Sequence, residues 1–186
     1  TPLEIGGGFG GKIPVYLEPV VSILSKKSGR PVKAIMERSN VFQASGPAPG
    51  GTITVKMGTD KDANIIAAET SIKLEAGGFP GAAVGAAVQC IFAPYDIPNT
   101  RIDGYDIVVN KPKSAAYRAP GSPQAAFAAE TVSDELARIH NMDPIDFRLQ
   151  NASKEDTRRA DGVVFPKIGN VEVLEAAKAS EHWKSD

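Results

Sequence analysis

Gly6-Gly7-Gly8-Phe9-Gly10-Gly11-Lys12 places five glycines within six positions near the start of a 186-residue chain. Glycine reaches positive φ freely and lets a backbone approach a ligand with no Cβ between them. The run follows the short apolar stretch Leu3-Glu4-Ile5 and precedes a segment of helical periodicity, so we predict a turn from a strand into a helix. Free N–H groups and the positive end of a helix suit anions. The run is therefore a candidate cradle for a phosphate or a cofactor.

Three interpretations of this glycine run remain open on its spacing alone. Gly6-x-Gly8-x-x-Gly11 fits a dinucleotide fingerprint, with Glu37 after a predicted strand at Val32 to Met36 near the place of a ribose-binding acid. The same run fits most of a nucleotide P-loop, but Ile13 stands where that loop needs a Ser or Thr hydroxyl for magnesium. The third interpretation is a tight turn without a ligand, in a non-catalytic interaction domain.

Composition excludes several classes of function. The chain has 21 basic and 22 acidic residues and a net charge of -1, so it lacks the electrostatic footprint of a nucleic-acid-binding protein. It has no apolar run of the roughly 20 residues that cross a bilayer, and no signal-peptide layout at its start. We expect a soluble protein of the cytoplasm, with the periplasm as the alternative. One cysteine, Cys90, and two histidines permit neither an internal disulfide nor a Cys/His metal cluster, so any transition metal would arrive with its own ligands.

Hydrophobic periodicity predicts an α+β fold, a mixed or antiparallel sheet with packed helices. Glycine and proline clusters separate the elements, and Pro14 and Pro19 delay the first helix beyond the start that a dinucleotide fold requires. We expect Ser122 to cap one helix and Asp143 the next, and residues 151–162 to be exposed. The stretch Ala76 to Val88 either packs tightly or lines a cavity. The predicted helices are 17–28, 123–141, 143–149 and 171–183, and the predicted strands are 32–36, 52–57, 65–75 and 101–110.

A second motif lies in Lys113 to Gln124, which reads Lys-Ser-Ala-Ala-Tyr-Arg-Ala-Pro-Gly-Ser-Pro-Gln. It places Arg118 in a short loop, stiffened by proline and glycine, between a strand and the start of a helix. Such a loop directs N–H groups and a fixed positive charge towards one point. Two loops that favour anions in one small chain suggest a single site. The alternative is that Arg118 pairs with a carboxylate or with carbonyl oxygens and only braces the loop.

Together the two motifs resemble the xanthine dehydrogenase/aldehyde oxidase family of molybdenum hydroxylases. The similarity extends to Phe127-Ala128-Ala129-Glu130 and to Asp143 through Asn151, and so covers most of the chain. The resemblance implies that residues 1–186 are a partial molybdopterin-binding domain and a fragment of a longer chain. It implies a molybdenum-molybdopterin cofactor, in the nucleotide-free or the dinucleotide form, whose pterin dithiolene holds the metal. It also implies [2Fe-2S] clusters and FAD on partner chains or domains.

The same resemblance implies roles for particular residues. Substrate placement would fall to Arg118 and Pro120. Xanthine-oxidising members carry a glutamate where this chain has Ile13, and purine-hydroxylating members a phenylalanine at the place of Pro120, so an aldehyde or another N-heterocycle fits better than a purine. The carbon monoxide-oxidising branch has a cysteine at the place of Ala119. The residues that would bind the cofactor are Gly8, Phe9, Gly10, Gly11, Tyr117, Arg118 and Ala119.

No catalytic residue or metal ligand is expected within the chain. In the family, the base is a glutamate of a far C-terminal motif outside these residues, so the isolated chain is expected to be inactive. The resemblance implies as partners the remainder of the molybdenum subunit, iron–sulfur and FAD subunits or domains, and a small-molecule substrate. A nucleotide-binding module that uses Gly6 to Gly11 for NAD or ATP, and a non-catalytic interaction domain, remain the alternatives.

Overall fold

The computed structural model describes residues 4–185, and within them it has seven helices and one three-stranded sheet. The predicted α+β class is therefore confirmed. None of these helices combines the length and the hydropathy needed to cross a membrane. In chain order the elements are α1 (Glu18–Ser28), α2 (Arg38–Ala44), β1 (Gly51–Thr59), β2 (Ile65–Gly77), α3 (Val84–Cys90), β3 (Thr100–Val108), α4 (Ser122–Ile139), α5 (Pro144–Gln150), α6 (Asn170–Ala179) and α7 (Glu181–Lys184).

The chain divides into two compact units. We call residues 4–50, 74–83 and 106–120 the loop unit, because both sequence motifs fall largely within it. Residues 51–73, 84–105 and 121–185 form the core unit. The chain passes from one unit to the other within β2 and within β3.

β1 and β2 form the predicted hairpin. Its turn is closed by a bond from Asp60 N to Asn64 O of 2.9 Å, and Ala63 takes the left-handed conformation at φ 66°. Exposure alternates along β1 from Thr52 to Thr59, whereas β2 has two successive exposed residues, Ile66 and Ala67, between buried ones. This slip of one residue is typical of a β-bulge, which bends a strand and increases its twist.

The third strand makes the sheet a mixed one. Strand order is β1-β2-β3. Ala68 N donates to Asn99 O at 2.9 Å, and further along both strands Val109 N donates to Gly77 O at 3.0 Å. The two bonds advance along both strands in the same direction, so β2 and β3 are parallel. Parallel neighbours need a crossover connection, and α3 lies within it.

The core unit is held by apolar packing between α4 and its neighbours. α4 contacts β1, α3 and α5, and its buried face repeats every four residues. The members of this face are small, which lets the helix axis approach the sheet closely: Ala125, Ala129, Ser133 and Ala137. The largest fully buried side chains of the core unit are those of Phe147, Ile72 and Ile91.

One buried side chain corrects the prediction that residues 151–162 are exposed. Asn151 is 5% exposed, and its Oδ1 accepts from Ile65 N at 2.7 Å. Its Nδ2 donates to Ala63 O at 3.0 Å and to Phe147 O at 2.9 Å. Asn151 thus satisfies backbone groups of the hairpin turn and of α5 at once. The polar residues that follow it in sequence make the whole stretch look exposed. Ala152, Ser153 and Thr157 are buried as well.

The helix starts confirm one predicted cap and correct another. Asp143 Oδ1 accepts from Ile145 N at 2.8 Å and from Asp146 N at 3.1 Å, as an N-cap should. Ser122 does not cap α4: Gly121, at φ 83°, occupies the N-cap position, and the Ser122 hydroxyl donates to Cys90 Sγ at 3.1 Å. The predicted single helix over 171–183 is divided into α6 and α7 at Ser180, whose hydroxyl caps α7.

The start of the loop unit differs from its predicted form. Glu4 and Ile5 form no strand, and Leu3 lies outside the described residues. No helix follows Gly11; α1 begins at Glu18, close to the predicted start. The predicted strand at 32–36 is wrong, because those residues have no ladder partner among residues 4–185. The glycine run is therefore a loop between irregular segments and not a turn from strand to helix.

Candidate cofactor-binding site

The two sequence motifs meet in the loop unit. Arg118 N donates to Phe9 O at 2.8 Å, which ties the second motif to the glycine run. Gly10 lies against Ala116 so closely that a Cβ at Gly10 would be 2.7 Å from the Ala116 carbonyl carbon, inside contact distance. A glycine is thus required here for the approach of one loop to the other. From the sequence, the glycines are expected to admit a ligand, and the close approach of the two loops is a second reason for them.

The glycine run is closed by its own hydrogen bonds. Gly11 N donates to Gly8 O at 2.8 Å and Ile13 N to Gly10 O at 3.3 Å, so the backbone makes two successive tight turns. The Lys12 ammonium donates to Gly7 O and folds back over the loop. The loop therefore has a defined shape although none of its residues is buried.

Four residues of the two loops, 6–12 and 116–120, adopt positive φ. These are Gly7 at 155°, Phe9 at 49°, Gly10 at 102° and Ala119 at 56°. The conformation is natural for glycine but costs Phe9 and Ala119 roughly 1 to 3 kcal/mol each. Residues held in such conformations cluster at ligand sites, because the surrounding structure keeps them there for a purpose other than stability. Each of the two loops thus contains one strained residue other than glycine.

Arg118 presents a free cation. Its side chain is exposed, and its guanidinium makes no hydrogen bond and no ion pair with any residue of 4–185. This observation disfavours the alternative in which the arginine only braces its loop. Tyr117 and Ala119 beside it are also exposed, and Pro120 is half-buried. The loop therefore offers five N–H donors of a rigid, planar guanidinium to a ligand.

The arginine loop rests on backbone contacts that the sequence does not reveal. Ser114 N donates to Ala76 O at 2.9 Å, and Ala115 N donates to Pro47 O at 2.8 Å. Gly46 lies so close to this segment that a Cβ there would be 2.5 Å from Lys113 O. From sequence, the Gly46-Pro47 cluster is only a break between elements. In the structure the cluster supports the arginine loop, which is about 70 positions away in the chain, and no local pattern in the sequence predicts such a contact.

A third segment, residues 78–83, is attached to the same part of the loop unit. The Asp106 carboxylate accepts from Gly81 N at 2.5 Å and from Ala82 N at 3.0 Å. The Lys113 ammonium donates to Gly81 O at 2.9 Å. Phe79, in this segment, is 71% exposed. The sequence does not predict that Asp106 and Lys113 support this segment, because charge alone does not distinguish them from other surface residues.

Of the two interpretations of Ala76 to Val88, tight packing applies to its first residues. Gly77 adopts φ 81°, and a Cβ there would lie 2.7 Å from the Lys113 Cα. Gly78 N donates to Lys111 O at 3.0 Å. The glycines here allow β2 to run directly against the segment that leads to Arg118.

The core unit contains a partly buried charge network. The Tyr95 hydroxyl donates to both carboxylate oxygens of Glu130, at 3.0 and 2.8 Å. The Arg148 guanidinium forms ion pairs with both Glu130, at 2.7 Å, and Asp134, at 2.8 Å. Burial, and then the Glu130 charge, raise the pKa of Tyr95 far above its ordinary value, so its hydroxyl stays protonated and keeps donating. The network braces α4 and α5, and we assign it no catalytic role.

The geometry disfavours the nucleotide-binding alternative. In a dinucleotide fold the helix opens at the last glycine, but α1 begins at Glu18. Glu37, the candidate ribose ligand, instead caps α2: its side chain accepts from the Asn40 backbone, while Glu37 N donates to Asn40 Oδ1 at 3.1 Å. The glycine run thus has neither the helix nor the acid that a dinucleotide would need.

The two loops fit a bulky cofactor better than they fit a bare ion. Their exposed surface combines an unpaired guanidinium, strained backbone and the Phe9 ring, which is 62% exposed. Among residues 4–185 no group of three His, Cys, Asp or Glu side chains could hold a metal ion. The donors on this surface are backbone amides and the guanidinium, which suit the oxygen, nitrogen and sulfur acceptors of an organic cofactor.

Comparison with known proteins identifies the family of the chain. Residues 2–152 match the family model of the molybdopterin cofactor-binding domain. The chain belongs to that family. The domain is 33% identical over 178 residues to the nicotinate dehydrogenase large molybdopterin subunit of Eubacterium barkeri, and the match covers 93% of this chain and 42% of that protein. It is 30% identical to the xanthine dehydrogenase molybdenum-binding subunit of Escherichia coli, over 97% of this chain and 25% of that protein.

Solved structures give the same assignment. The domain superposes on aldehyde oxidoreductase from Desulfovibrio gigas with a TM-score of 0.86 and 27% identity, over 94% of this chain and 20% of that one. The predicted family is therefore confirmed. The domain spans less than half of the length of these relatives, so the activity of a whole enzyme does not follow from the match itself.

Proposed function

We propose that residues 6–12 and 116–120 form part of the wall of the molybdenum cofactor site in a molybdenum hydroxylase. The observation that carries this proposal is the bond from Arg118 N to Phe9 O, which joins the two motifs at a surface with strained backbone and an unpaired cation. A family of cofactor-binding domains supplies the context. When bound, the cofactor would supply oxidative hydroxylation of a substrate carbon, with water as the oxygen source.

The chain's own contribution is to shape and polarise the site. Arg118 lies next to the strained Ala119 and stabilises negative charge that develops on a substrate or on the cofactor. Pro120, half-buried, is the second residue that we assign to the substrate. We assign contact with the cofactor to residues of both loops: Gly8, Phe9, Gly10, Gly11, Tyr117, Arg118 and Ala119. Because Gly10 sets the distance between the loops, it governs the width of the site.

We propose an aldehyde or a nitrogen heterocycle as the substrate. Two residues support this choice through the family resemblance, Ile13 in place of a purine-binding glutamate and Pro120 in place of a stacking phenylalanine. Relatives carry the names aldehyde oxidoreductase and nicotinate dehydrogenase, and so do not point to purines alone. The unpaired Arg118 suits a carbonyl oxygen, a ring nitrogen or a carboxylate as acceptor.

We further propose that the domain works within a larger assembly. The name of the nicotinate dehydrogenase relative, a large molybdopterin subunit, implies other subunits in that protein. By analogy, the partners here are the remainder of the molybdenum subunit and iron–sulfur and FAD chains or domains. A catalytic glutamate outside the chain, an inactive isolated domain and a cytoplasmic location stay predictions.

The proposal is tested on assembled protein, purified from its natural source through a tag on this region of its gene. We expect molybdenum and pterin near one per complex, together with flavin and iron–sulfur chains. An intact, folded complex without molybdenum or pterin would overturn the proposal.

A substitution then tests the role of Arg118. Arg118→Met should lower kcat/KM for benzaldehyde or nicotinate by about a hundredfold, since one donor to a developing charge is worth a few kcal/mol. The matched control is Arg101→Met, which removes an exposed arginine of the core unit and should leave kcat/KM unchanged. Equal rates for the two variants would show that Arg118 does not act on the substrate.

A further inference from the structure

β1 is an edge strand: among residues 4–185, β2 is the only strand that pairs with it. The sheet order β1-β2-β3 places it at one side, and it runs for nine residues, Gly51–Thr59, without a proline. Its only charged residue is Lys56. Long, regular edges of this kind present rows of unpaired N–H and C=O groups, and natural proteins normally cover, shorten or interrupt them.

The register of the hairpin identifies which backbone groups are open. Asp60 N bonds across the hairpin to Asn64, and at the other end Gly50 O accepts from Glu75 N at 2.8 Å, so even-numbered positions at both ends of β1 face β2. Hydrogen-bonding direction alternates along an antiparallel strand, and the regular exposure pattern shows no bulge in β1. The odd-numbered residues between these ends therefore direct their N–H and C=O groups to the open side.

An apolar groove runs beside the same edge. It lies between β1 and α4, has a volume of about 390 Å³, and is lined by Ile53 and Val55 from the strand and by Phe127, Ala128 and Val132 from the helix. Phe127 is 78% exposed, more than any other large apolar side chain described in the core unit. The open backbone groups and the apolar groove thus both lie along β1.

We infer that β1 receives a further strand, supplied by the part of the molybdenum subunit that lies outside residues 4–185. The backbone edge requires an extended occupant, because only a strand places donors and acceptors at two-residue spacing. The groove requires apolar side chains at alternate positions of that strand, in contact with Phe127. Since the domain spans 42% and 25% of two relatives, such subunits contain ample further polypeptide. A second copy of this chain is the rival occupant.

The first test is hydrogen exchange, followed by mass spectrometry with residue resolution, on the assembled protein from its natural source. We expect the amides of Ile53, Val55 and Met57 to be as strongly protected as those of Thr54 and Lys56, which bond to β2. Exchange of the odd-numbered amides at the rate of open loops, with the even-numbered ones protected, would overturn the inference. The readout does not depend on cofactor content, so its failure is distinct from failure of the proposed function.

A pair of substitutions on α4 tests the groove. Phe127→Asp should raise exchange at Ile53 and Val55 at least tenfold in the assembled protein, because a carboxylate cannot enter an apolar contact. Ile139→Asp is the matched control: it is 71% exposed on the same helix but outside the groove, and should leave those amides unchanged. Equal behaviour of the two variants would contradict the inference.

Photo-crosslinking identifies the source of the strand. With p-benzoylphenylalanine in place of Phe127, irradiation of the assembled protein should join this position to a peptide of the same subunit outside residues 4–185. A crosslink to residues 51–59 or to α4 of a second copy would show that the edge pairs with itself, and would overturn the assignment of the occupant.

Discussion

The loop unit and the core unit differ in how deeply their apolar side chains are buried and in where strained backbone occurs. Among residues 4–50 of the loop unit only Pro49 is buried, and apolar side chains such as Ile35 and Phe42 are about three-quarters exposed. The core unit, by contrast, contains Phe147 and Ile72 at 0% exposure. Yet Phe9, Gly10 and Ala119, with their positive φ, belong to the loop unit. The difference teaches that the residues proposed for function stand where packing contributes least, as is expected of binding loops.

The largest expected difference in stability is between two truncations of phenylalanine, one in each unit. Phe147→Ala leaves a cavity in a fully buried position, and we expect a loss of about 3 to 5 kcal/mol in the free energy of unfolding. Phe42→Ala removes a ring that is 76% exposed, and should change this free energy by no more than about 0.5 kcal/mol. Urea unfolding of the 186-residue chain measures both. Similar losses for the two variants would erase the contrast between the units.

A smaller effect is expected from the charge network of the core unit. Arg148→Met leaves Glu130 and Asp134 without their cation, and also leaves the partly buried Glu130 beside Tyr95. We expect a loss of about 2 kcal/mol, less than for a fully buried pair because both carboxylates are partly solvated. The matched control is Arg101→Met, which breaks an exposed pair and should cost well below about 1 kcal/mol. A cost for Arg148→Met as small as that of the control would show that the network does not brace the core unit.

The smallest effect depends on pH. Desolvation is the largest single influence on the Asp143 carboxyl and raises its pKa, but hydrogen bonds from Asp146 N, Ile145 N and the Trp183 indole, with the Lys178 charge, together lower it. A lowered pKa in the folded state stabilises the fold above the ordinary carboxyl pKa, and this stabilisation is lost as pH falls through the folded value. Asp143→Ala should therefore cost about 1 kcal/mol at pH 7, and this difference should shrink below about pH 4. Unfolding curves at pH 7 and pH 3 measure it, and a constant difference would contradict the account.

Local patterns predicted most of the elements. The stripe of apolar residues in α4, the alternation in β1 and the Asp143 cap each depend on neighbours within a few positions, so each could be predicted from sequence. The parallel pairing of β3 could not, because it depends on contacts between residues about thirty positions apart, such as Ala68 with Asn99.

The wrong predictions share a physical cause. Residues 32–36 alternate like a strand, but a strand needs a ladder partner, and residues 4–185 supply none. Ser122 has the chemistry of a cap, but its hydroxyl donates to the distant Cys90 Sγ, and Gly121 at φ 83° occupies the N-cap position. Asn151 begins a polar stretch, yet the hairpin turn and α5 supply it with buried partners. In each case tertiary context overrides local propensity.

For the candidate site, the sequence singled out the two loops but did not predict how they contact each other. The two motifs identified the glycine run and Arg118, and the structure brings them into contact. The role of Gly10 as the point of closest approach to Ala116, and the support of residues 78–83 by Asp106 and Lys113, depend on three-dimensional contacts. No spacing rule along the chain encodes such contacts.

The central claim, that contact between the two loops builds the cofactor site, is tested most directly by molybdenum and pterin content of Gly10→Ala in the assembled protein. The control is Gly6→Ala in the same loop, where a Cβ would have no atom of residues 4–185 within 4 Å and φ is not positive. We predict that Gly10→Ala loses most of its molybdenum and pterin while Gly6→Ala keeps both, with the two proteins equally folded by circular dichroism. Full cofactor content in Gly10→Ala would contradict the account.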